Sequence, residues 1–480
     1  MSLPPPVTPS LSLTTPPPPP HLPIREIPGS YGWPLLGPIS DRLDYYWFQK
    51  QENFFKKRME KYKSTVFRTN VPPSFPFFTN VNPNVIAVLD CNSFSHLFDM
   101  ELVEKKDVLV GDFVPSVAFT GNIRVGAYQD TSEPQHSKVK KFCMDVLKGG
   151  SRIWVQELVS NLDILCDNIE ASLSKSTSAT YFFPLQQFLF TFLLKVITRI
   201  DPSLDPNIAN SGYAMLNRWL ALQLSPTISI GVLQPLEEIL LHSFPYPFFL
   251  VSRDYNNLYN FIKQHGKEVL EKGKVEFGLS EEETIHNLLF TLGFNAFGGF
   301  SIFLPTLIEA IGNDSNGLQQ KLRKEARENK GSTLSFDSIK EMELIQSVVY
   351  ETLRLNPPVP LQYARARKDF QLSSHDSVFN VKKGELLCGY QKVVMRDPVV
   401  FDDPDRFIPD RFTKEKGGDQ LLNYLYWSNG PQTGTPSTSN KQCAGKDYVT
   451  LTAALIVAYL FRRYDSIRGD AGSITALIKA

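Results

Sequence analysis

A single cysteine near the C-terminus has neighbours that suit chemistry. Cys443 follows a long polar loop that starts at Trp427, and it precedes an apolar helix that we expect over residues 446–463. Backbone N–H groups and the helix dipole stabilise a thiolate at a helix N-terminus, and such a thiolate serves as a nucleophile or as an iron ligand. An unreactive buried thiol is the usual state of a lone cysteine, but Cys443 stands among polar residues and glycines.

Two charged residues on one helix form a second candidate feature. Glu351 and Arg354 are three residues apart in a helix that we expect over residues 338–355, so their side chains share one face. A surface ion pair is the default interpretation of that spacing. Arg411 lies between this helix and the cysteine loop in a Pro-Asp-Arg-Phe stretch, and a third charged partner favours a structural role.

The order of these features resembles the cytochrome P450 superfamily. The usual cysteine signature of that family is Phe-x-x-Gly-x-Arg-x-Cys-x-Gly. Here Trp427-x-x-Gly430 matches its first half and Lys441-x-Cys443-x-Gly445 its second, with nine extra residues between them and Lys in place of Arg. The resemblance implies a mainly α fold with a minor β region, and a haem b cofactor whose axial thiolate is Cys443. It also implies a structural triad of Glu351, Arg354 and Arg411.

The central helix departs from that of an ordinary P450 monooxygenase. The uncharged run 287–308 carries Asn295, and it lacks the acid-alcohol pair that delivers protons to bound dioxygen in such enzymes. With the nine-residue insertion, this resembles the plant branch of the superfamily that metabolises fatty acid hydroperoxides, namely allene oxide synthases, hydroperoxide lyases and divinyl ether synthases. The resemblance covers the chain from about residue 22 to its end, with specific matches at residues 27–32, 62–70 and 422–434.

Several site residues follow from the branch resemblance. Asn295 matches an asparagine that faces the substrate, and its amide can hydrogen-bond a peroxide oxygen without supplying a strong acid. His136 and Lys140 share a helix face and match a pair that holds a haem propionate. Lys105 and Lys441 match further propionate contacts; solvated charges are the competing interpretation for each lysine. Substrate contacts are expected at Leu109, Phe294, Phe297 and Pro360, with Phe300 as a further channel candidate and core packing as the alternative for the phenylalanines.

One position favours hydroperoxide cleavage within the branch. Allene oxide synthases tend to carry Phe where this chain has Leu109, and an aromatic ring there would stabilise a carbon radical that an aliphatic side chain cannot. The resemblance therefore implies a fatty acid hydroperoxide lyase that acts on 13-hydroperoxides of linoleic and linolenic acid. Homolysis at the haem thiolate would give a hemiacetal that splits into a short aldehyde and an oxo-acid, without O2, NADPH or a reductase.

Three alternatives remain open at this point. The first is a divinyl ether synthase or an allene oxide synthase of the same branch, and product analysis separates these from a lyase. The second is a P450 monooxygenase, which would need a reductase. The third is a lipid-binding protein without catalytic activity, which would bind no haem.

Composition excludes several other classes of protein. Lys and Arg number 50 and Asp and Glu also number 50, so the net charge is zero, which argues against a nucleic-acid binder. The five cysteines are widely spaced and include no Cys-x-x-Cys pair. The seven histidines show no His-x-x-x-His pattern. Neither a disulfide framework nor a zinc site is therefore expected.

The distribution of proline predicts the domain organisation. Eleven of the 35 prolines lie in the first 28 residues, so we expect a flexible leader over residues 1–27 and a single haem domain over residues 28–480. The leader contains Ser and Thr and no acidic residue before Glu26, which matches a plastid transit segment in part, and a disordered Pro-rich arm is the competing interpretation. The branch resemblance implies a chloroplast protein at the envelope. It also allows peripheral membrane association. The run 287–308 lacks basic flanks, so we expect a buried core helix and no transmembrane helix.

Hydrophobic periodicity predicts the secondary structure around these features. Short strands are expected near residues 66–67, 85–89, 370–372 and 385–390. Helices are expected at residues 41–62, 154–174, 183–199, 214–223, 254–275, 281–311, 338–355 and 446–463.

Overall fold

The computed structural model describes residues 22–74, 78, 80–227, 234–313, 316–328 and 333–480. Most of the predicted leader, residues 1–27, therefore lies outside the described residues. Its last part is described, and Ile24–Arg25 forms a strand that pairs in parallel with Val378–Val381. Ordered sheet thus begins a few residues before the boundary that the sequence predicted at residue 28.

Helices dominate the described chain, as the predicted mainly α fold requires. Two π-helical segments, Asp44–Phe48 and Phe290–Phe297, continue neighbouring α-helices. The α-helices are α1 (Leu36–Leu43), α2 (Lys50–Tyr62), α3 (Cys91–Ser95), α4 (Pro134–Leu173), α5 (Phe182–Thr198), α6 (Pro206–Leu224), α7 (Gln234–Leu240), α8 (Ser252–His265), α9 (Lys267–Phe277), α10 (Glu281–Leu289), α11 (Gly298–Gly312), α12 (Leu318–Glu328), α13 (Phe336–Lys340), α14 (Glu343–Leu355), α15 (Gln391–Val394), α16 (Gly418–Leu421) and α17 (Lys446–Arg463).

Three small sheets make up the β region of the described chain. Five strands form a mixed sheet in the order β2-β3-β9-β6-β4, and two three-stranded sheets have the orders β1-β8-β7 and β10-β11-β5. The strands are β1 (Ile24–Arg25), β2 (Val66–Asn70), β3 (Asn84–Val88), β4 (Val103–Glu104), β5 (Ala179–Thr180), β6 (Leu361–Ala366), β7 (Phe370–Ser373), β8 (Val378–Val381), β9 (Leu386–Tyr390), β10 (Tyr464–Gly469) and β11 (Ser473–Lys479).

One long helix runs through the core. The helix α10, the π-helical segment Phe290–Phe297 and α11 follow one another without a break from Glu281 to Gly312. A capping box starts it: the Glu283 N–H donates to Ser280 Oγ at 3.1 Å, and the Ser280 N–H donates to the Glu283 carboxylate at 2.7 Å. The predicted helix over residues 281–311 is confirmed.

This central helix is also long and apolar enough to cross a membrane, judged by length and composition alone. In its most apolar window 61% of the residues are buried inside the described chain. Core helices meet the same length and hydropathy criteria as membrane spans. The burial therefore agrees with the buried core helix that the sequence predicts.

The central helix has a covered face and an open face. A Cβ atom at Gly293 would lie 2.9 Å from both Leu216 and Trp219, so α6 packs directly on that side. On another side, Asn295 is exposed, and a Cβ atom at Gly299 would meet no atom within 4 Å. Ile302 continues this side and is 55% exposed. Residues spaced four and three apart share a helix face, so Asn295, Gly299 and Ile302 form one open stripe.

Candidate active site

Cys443 lies at the junction between the polar loop and α17. Its N–H donates to the Ser428 carbonyl at 2.9 Å, and its carbonyl accepts from the Lys446 N–H at 3.2 Å, where the helix begins. Burial raises the pKa of the Cys443 thiol, while the Lys140 charge and the Gly445 N–H act in the opposite direction. A cation and a backbone donor are thus in place to stabilise a thiolate at this sulfur.

Hydrogen bonds inside the cysteine loop close the nine-residue insertion. The Gln442 side chain donates to the Pro431 carbonyl at 2.6 Å, which joins the two ends of the insertion. Trp427 Nε1 donates to the Gln432 side-chain oxygen at 2.9 Å. The extra residues therefore fold beside the cysteine without separating it from the start of α17.

Asn429 connects Lys105 to the cysteine loop. The Lys105 ammonium donates to the Asn429 side-chain oxygen, and Asn429 Nδ2 donates to the Lys441 carbonyl at 2.9 Å. The φ angle of Asn429 is 61°, in the left-handed region that asparagine tolerates better than most residues. Asn429 carries no motif of its own in the sequence, and its place inside the Trp-Ser-Asn-Gly stretch is the signal that could have marked it.

Two basic side chains of α4 reach the same loop. The Lys140 ammonium donates to the Gln442 carbonyl. One turn earlier, His136 is 2% exposed, and its Nδ1 atom has no hydrogen-bond partner among the described residues. The Lys441 ammonium, on the loop itself, donates to the carbonyls of Gly126, Ala127 and Gln129. The structure thus brings together the four basic residues that the sequence analysis selected.

These basic side chains lie close together, and among the described residues no carboxylate oxygen accepts from their ammonium groups. Burial, with repulsion from a neighbouring lysine, lowers the pKa of Lys105 to about 7 and that of Lys441 to about 7. Burial and the charges of Lys441 and Lys140 lower the pKa of His136 to about 4. Within the described part of the chain, the ammonium hydrogen bonds of Lys105, Lys140 and Lys441 all end on uncharged oxygens. The cluster therefore fits a bound dianion such as the two propionates of haem.

The predicted substrate contacts on the central helix divide into two groups. Asn295 is exposed on the open stripe, so its amide is available to a bound molecule. Phe294 is half-buried and stacks on Phe290 with ring centroids 4.6 Å apart. Phe297 is 0% exposed and Phe300 is 3% exposed, so both rings belong to the core. This packing matches the alternative interpretation of the two rings as core residues, and the substrate contact expected of Phe297 stays a prediction.

Leu109 and Pro360 lie outside the central helix. Leu109 is half-buried, forms an isolated bridge with Gly111 and packs against the main core. Pro360 follows α14 and is also half-buried, and its carbonyl accepts from the Gln391 N–H at 2.7 Å. Both side chains therefore keep part of their surface free for contact with a ligand.

The predicted triad forms around Glu351. Arg354 donates to the two Glu351 oxygens at 2.7 and 2.8 Å, and Arg411 Nε lies 3.1 and 3.2 Å from the same oxygens. Arg354 also donates to the Met395 carbonyl at 2.8 Å and the Pro404 carbonyl at 2.7 Å. The triad therefore ties α14 to the irregular segment that leads to the cysteine loop.

One group of metal-ligating residue types occurs among the described residues. Ligand atoms of Asp90, His375 and Asp397 lie within 4.8 Å of one another. Donors of the chain already use these carboxylates: His375 Nε2 lies 2.6 Å from Asp397 Oδ2, the Cys91 N–H donates to that oxygen at 2.8 Å, and the Ser93 N–H donates to Asp90 at 2.9 Å. The group is a hydrogen-bonded clamp that joins α3, the turn between β7 and β8, and the segment after α15.

Comparison with known proteins finds one family model and several enzymes that are similar to this chain. The cytochrome P450 family model matches residues 314–466. A chloroplastic fatty acid hydroperoxide lyase of Solanum lycopersicum is 65% identical over 475 residues, which cover 98% of this chain and 99% of that protein. A chloroplastic linolenate hydroperoxide lyase of Arabidopsis thaliana is 61% identical over 480 residues, with coverage of 99% and 97%. A chloroplastic allene oxide synthase of Linum usitatissimum is 43% identical over 469 residues, with coverage of 96% and 86%.

Proposed function

The chain belongs to the cytochrome P450 family that contains the fatty acid hydroperoxide lyases, and we propose that it is itself such a lyase. It cleaves 13-hydroperoxides of linoleic and linolenic acid into a short aldehyde and an oxo-acid. The observation that carries this proposal is the near-full-length identity of 65% and 61% to two named lyases, against 43% to an allene oxide synthase. No O2, NADPH or reductase is needed, because the substrate brings its own activated oxygen.

Haem is the cofactor that the family implies, and the residues around Cys443 fit it. Cys443 would supply the axial thiolate. When bound, haem iron supplies one-electron cleavage of the peroxide O–O bond. The chain contributes the start of α17 and the Gly445 N–H, which support the thiolate. The basic cluster would pair with the propionates through Lys105, His136 and Lys140. Lys441 would add its positive charge nearby, while its N–H groups stay on the carbonyls of Gly126, Ala127 and Gln129.

Asn295 binds and orients the hydroperoxide group in this proposal. Its Nδ2 can donate to a peroxide oxygen, and its Oδ1 can accept from the terminal O–H. The central helix has no Asp or Glu between residues 287 and 308, so this segment offers no carboxylate to relay protons as a monooxygenase requires. Beside Asn295, the open space at Gly299 and the exposed Ile302 side chain give an apolar acyl chain room to lie along the helix.

A purified holoenzyme incubated with the 13-hydroperoxide of linolenic acid, without NADPH, tests the function. Mass spectrometry of the products separates the candidates. A short aldehyde with an oxo-acid supports the lyase. A ketol from allene oxide, or a divinyl ether, would reassign the enzyme within its branch. Dependence on NADPH and a reductase would overturn the proposal in favour of a monooxygenase.

An allene oxide or divinyl ether synthase is the second candidate, since the flax allene oxide synthase shares 43% identity over 96% of this chain. Leu109 favours the lyase, because an aliphatic side chain stabilises a delocalised carbon radical less than an aromatic ring does. The Leu109→Phe variant is therefore expected to shift product from aldehyde towards allene oxide. An unchanged product ratio would remove Leu109 from the mechanism.

We also propose that the protein lies in the chloroplast, since both lyase relatives are named chloroplastic. Residues 1–27 would then act as the transit segment, and the rest of the chain as a single haem domain. Most of the apolar window of the central helix is buried, which supports peripheral association with the envelope over a transmembrane helix in the described part of the chain.

An exposed apolar surface supports this peripheral association. Two segments, residues 33–48 and 236–250, form it, and they touch: Arg42 donates to the His242 carbonyl at 2.8 Å, and the Tyr46 and His242 rings stack 3.7 Å apart. The exposed side chains of this apolar surface are Trp33, Leu35, Leu36, Trp47, Phe48, Leu236, Ile239, Leu240, Phe244, Phe249 and Leu250.

The charged side chains in those two segments pair within the protein. Arg42 forms an ion pair with Glu238, and Arg58 of α2 forms ion pairs with both Asp41 and Asp44. The apolar surface therefore presents large hydrophobic groups without competing charge. An apolar surface of this kind suits a bilayer with uncharged headgroups better than a bilayer with anionic headgroups, which attracts basic residues.

A further inference from the structure

Gly126 joins the central helix to the cysteine loop through a single residue. Its N–H donates to Asn287 Oδ1 at 2.9 Å, and Asn287 belongs to α10. Its carbonyl accepts from the Lys441 ammonium at 3.0 Å, and Lys441 stands two residues before Cys443. Two elements far apart in the sequence therefore meet on one backbone residue.

Packing fixes Gly126 in this place. A Cβ atom there would lie 2.6 Å from Val139 Cγ1 and 3.7 Å from Asn287 Oδ1. Real Cβ atoms do not approach a neighbour as closely as 2.6 Å, so the backbone of Gly126 is in direct contact with α4. Gly126 packs between α4 and α10, and a larger side chain at this position would displace its backbone from both helices.

Among the described residues, the Lys441 ammonium makes all its hydrogen bonds to this loop. It donates to the carbonyls of Gly126 at 3.0 Å, Ala127 at 3.1 Å and Gln129 at 2.6 Å. An ammonium group has three protons, so residues 126–129 occupy every donor. A shift of this carbonyl loop would therefore move Lys441, and with it the backbone next to Cys443.

Asn287 is well placed to set the position of the carbonyl loop. The residue is 3% exposed, and its Nδ2 donates to the Glu283 carbonyl at 2.8 Å, which fixes the amide so that its oxygen faces Gly126. Asn295 lies eight residues further along the same continuous helix. The helix that carries Asn295 is thus tied to the loop that carries Cys443.

We propose that Asn287 is a positioning residue, which holds the carbonyl loop 126–129 and through Lys441 sets the cysteine loop relative to Asn295. This inference rests on the proposed lyase function, because the relation it fixes is that between the substrate-binding amide of Asn295 and the iron-binding thiolate of Cys443. A second tether, from Trp219 Nε1 to the Phe119 carbonyl at 2.9 Å, keeps the preceding segment attached. Loss of the Asn287 contact should therefore displace only the carbonyl loop, residues 126–129.

The test compares Asn287→Ala with Asn287→Asp in haem-loaded protein. Both variants lose the donor to the Glu283 carbonyl, but aspartate keeps an oxygen acceptor for the Gly126 N–H, whereas alanine removes it. The control is Asn161→Ala, since Asn161 is also a buried helical asparagine and donates to the carbonyl four residues earlier at 2.8 Å. Readouts are haem content, the ferric absorption spectrum and its spin state, kcat and KM for the 13-hydroperoxide, and the thermal midpoint.

For Asn287→Ala we expect an altered ferric spin state and a kcat per haem lower by about tenfold to a hundredfold, as misplaced catalytic groups produce. KM should change less than kcat, and Asn287→Asp should lie closer to the wild type than Asn287→Ala does in spin state and in kcat per haem. Asn161→Ala should lower only the thermal midpoint. An Asn287→Ala spectrum and kcat per haem equal to those of Asn161→Ala would overturn the proposal.

Two further outcomes are also decisive. If Asn287→Ala is recovered without haem, Asn287→Asp decides. A spectrum and a kcat per haem close to those of the wild type in Asn287→Asp support the proposal. Loss of both in that variant contradicts it. If the wild type forms no aldehyde, the proposed function fails, and the spin-state comparison still decides whether Asn287 positions the cysteine loop.

Discussion

Arg354 and Glu351 form a two-point ion pair in which neither side chain reaches solvent. The two N–O distances are 2.7 and 2.8 Å, and both residues are 0% exposed. Such a pair persists only where further hydrogen bonds compensate for lost hydration. Here the Ile408 N–H donates to Glu351 at 2.9 Å. The carbonyls of Met395 and Pro404 accept hydrogen bonds from Arg354.

Removal of one partner should destabilise the protein strongly. We expect Arg354→Ala to lower the free energy of unfolding by about 3–5 kcal/mol, because Glu351 would remain as a buried charge with one partner fewer. Urea unfolding of the haem-loaded protein measures this. The exposed pair of Arg406 with Asp403, at 3.2 Å, provides the control, and Arg406→Ala should cost at most about 1 kcal/mol. Equal costs for the two variants would contradict a structural triad.

The amide of Asn295 should matter for turnover and not for haem binding. We expect Asn295→Ala to lower kcat/KM for the 13-hydroperoxide by about tenfold, the equivalent of one net hydrogen bond, with unchanged haem content. Steady-state kinetics with haem-normalised enzyme measures the effect. Asn168→Ala, at an exposed asparagine of α4, is the control and should behave as wild type. A wild-type rate for Asn295→Ala would remove this residue from the mechanism.

Sequence patterns gave the central helix well but misjudged the start of α4. That helix was predicted from residue 154, and it begins at Pro134. Gly149 and Gly150 interrupt the pattern, yet they do not end the helix. A Cβ atom at Gly150 would lie 2.6 Å from the Val196 carbonyl, so this glycine marks the close approach of α5.

The site was predictable only where a motif marked it. Cys443 and the Glu351 triad have fixed spacings, and the basic cluster followed from the resemblance. Asn429 and Asn287 had no such local signal. Asn429 contacts Lys105, which lies 324 residues away in sequence, and Asn287 contacts Gly126 across 161 residues. Such partners are set by tertiary packing, so periodicity and motif spacing do not reveal them.

The clamp between His375 and Asp397 should make stability depend on pH. The bond to Asp397 raises the pKa of His375. Burial would raise the pKa of Asp397, but hydrogen bonds from His375, Cys91 and Val399 outweigh it and leave the pKa lowered. The ionised pair therefore stabilises the fold fully below the ordinary histidine pKa of about 6.5 and above the ordinary aspartate pKa of about 3.9.

The stabilising effect should fade as the pH rises through the raised pKa of His375, and as it falls through the lowered pKa of Asp397. The free energy of unfolding of the wild type minus that of His375→Asn should therefore be larger at pH 6 than at pH 9. Urea titrations of both proteins at the two pH values give this difference. A pH-independent difference would show that the histidine acts only by packing.

The apolar surface should bind lipid bilayers. We expect the wild type to float with phosphatidylcholine vesicles in a density gradient, and the triple variant Trp33→Ser, Leu36→Ser, Phe48→Ser to bind more than about a hundredfold more weakly. Each of these side chains contributes roughly 1.5 kcal/mol or more on burial.

Exposed apolar residues elsewhere on the protein give the matched control. Val399 is 70% exposed and Ile164 is 60% exposed, and serine at both positions should leave flotation unchanged. Equal loss of flotation in the two sets of variants would mean that general hydrophobicity, and not this surface, drives binding. Absence of flotation in the wild type would refute peripheral association.

The stoichiometry of a single incubation tests the lyase assignment most directly. Holoenzyme is mixed with the 13-hydroperoxide of linolenic acid in the absence of NADPH and reductase, and hydroperoxide, aldehyde, oxo-acid and dissolved oxygen are followed together. We expect one aldehyde and one oxo-acid for each hydroperoxide consumed, with no uptake of oxygen. Consumption of hydroperoxide without chain cleavage, or no turnover until an electron donor is added, would contradict the lyase assignment.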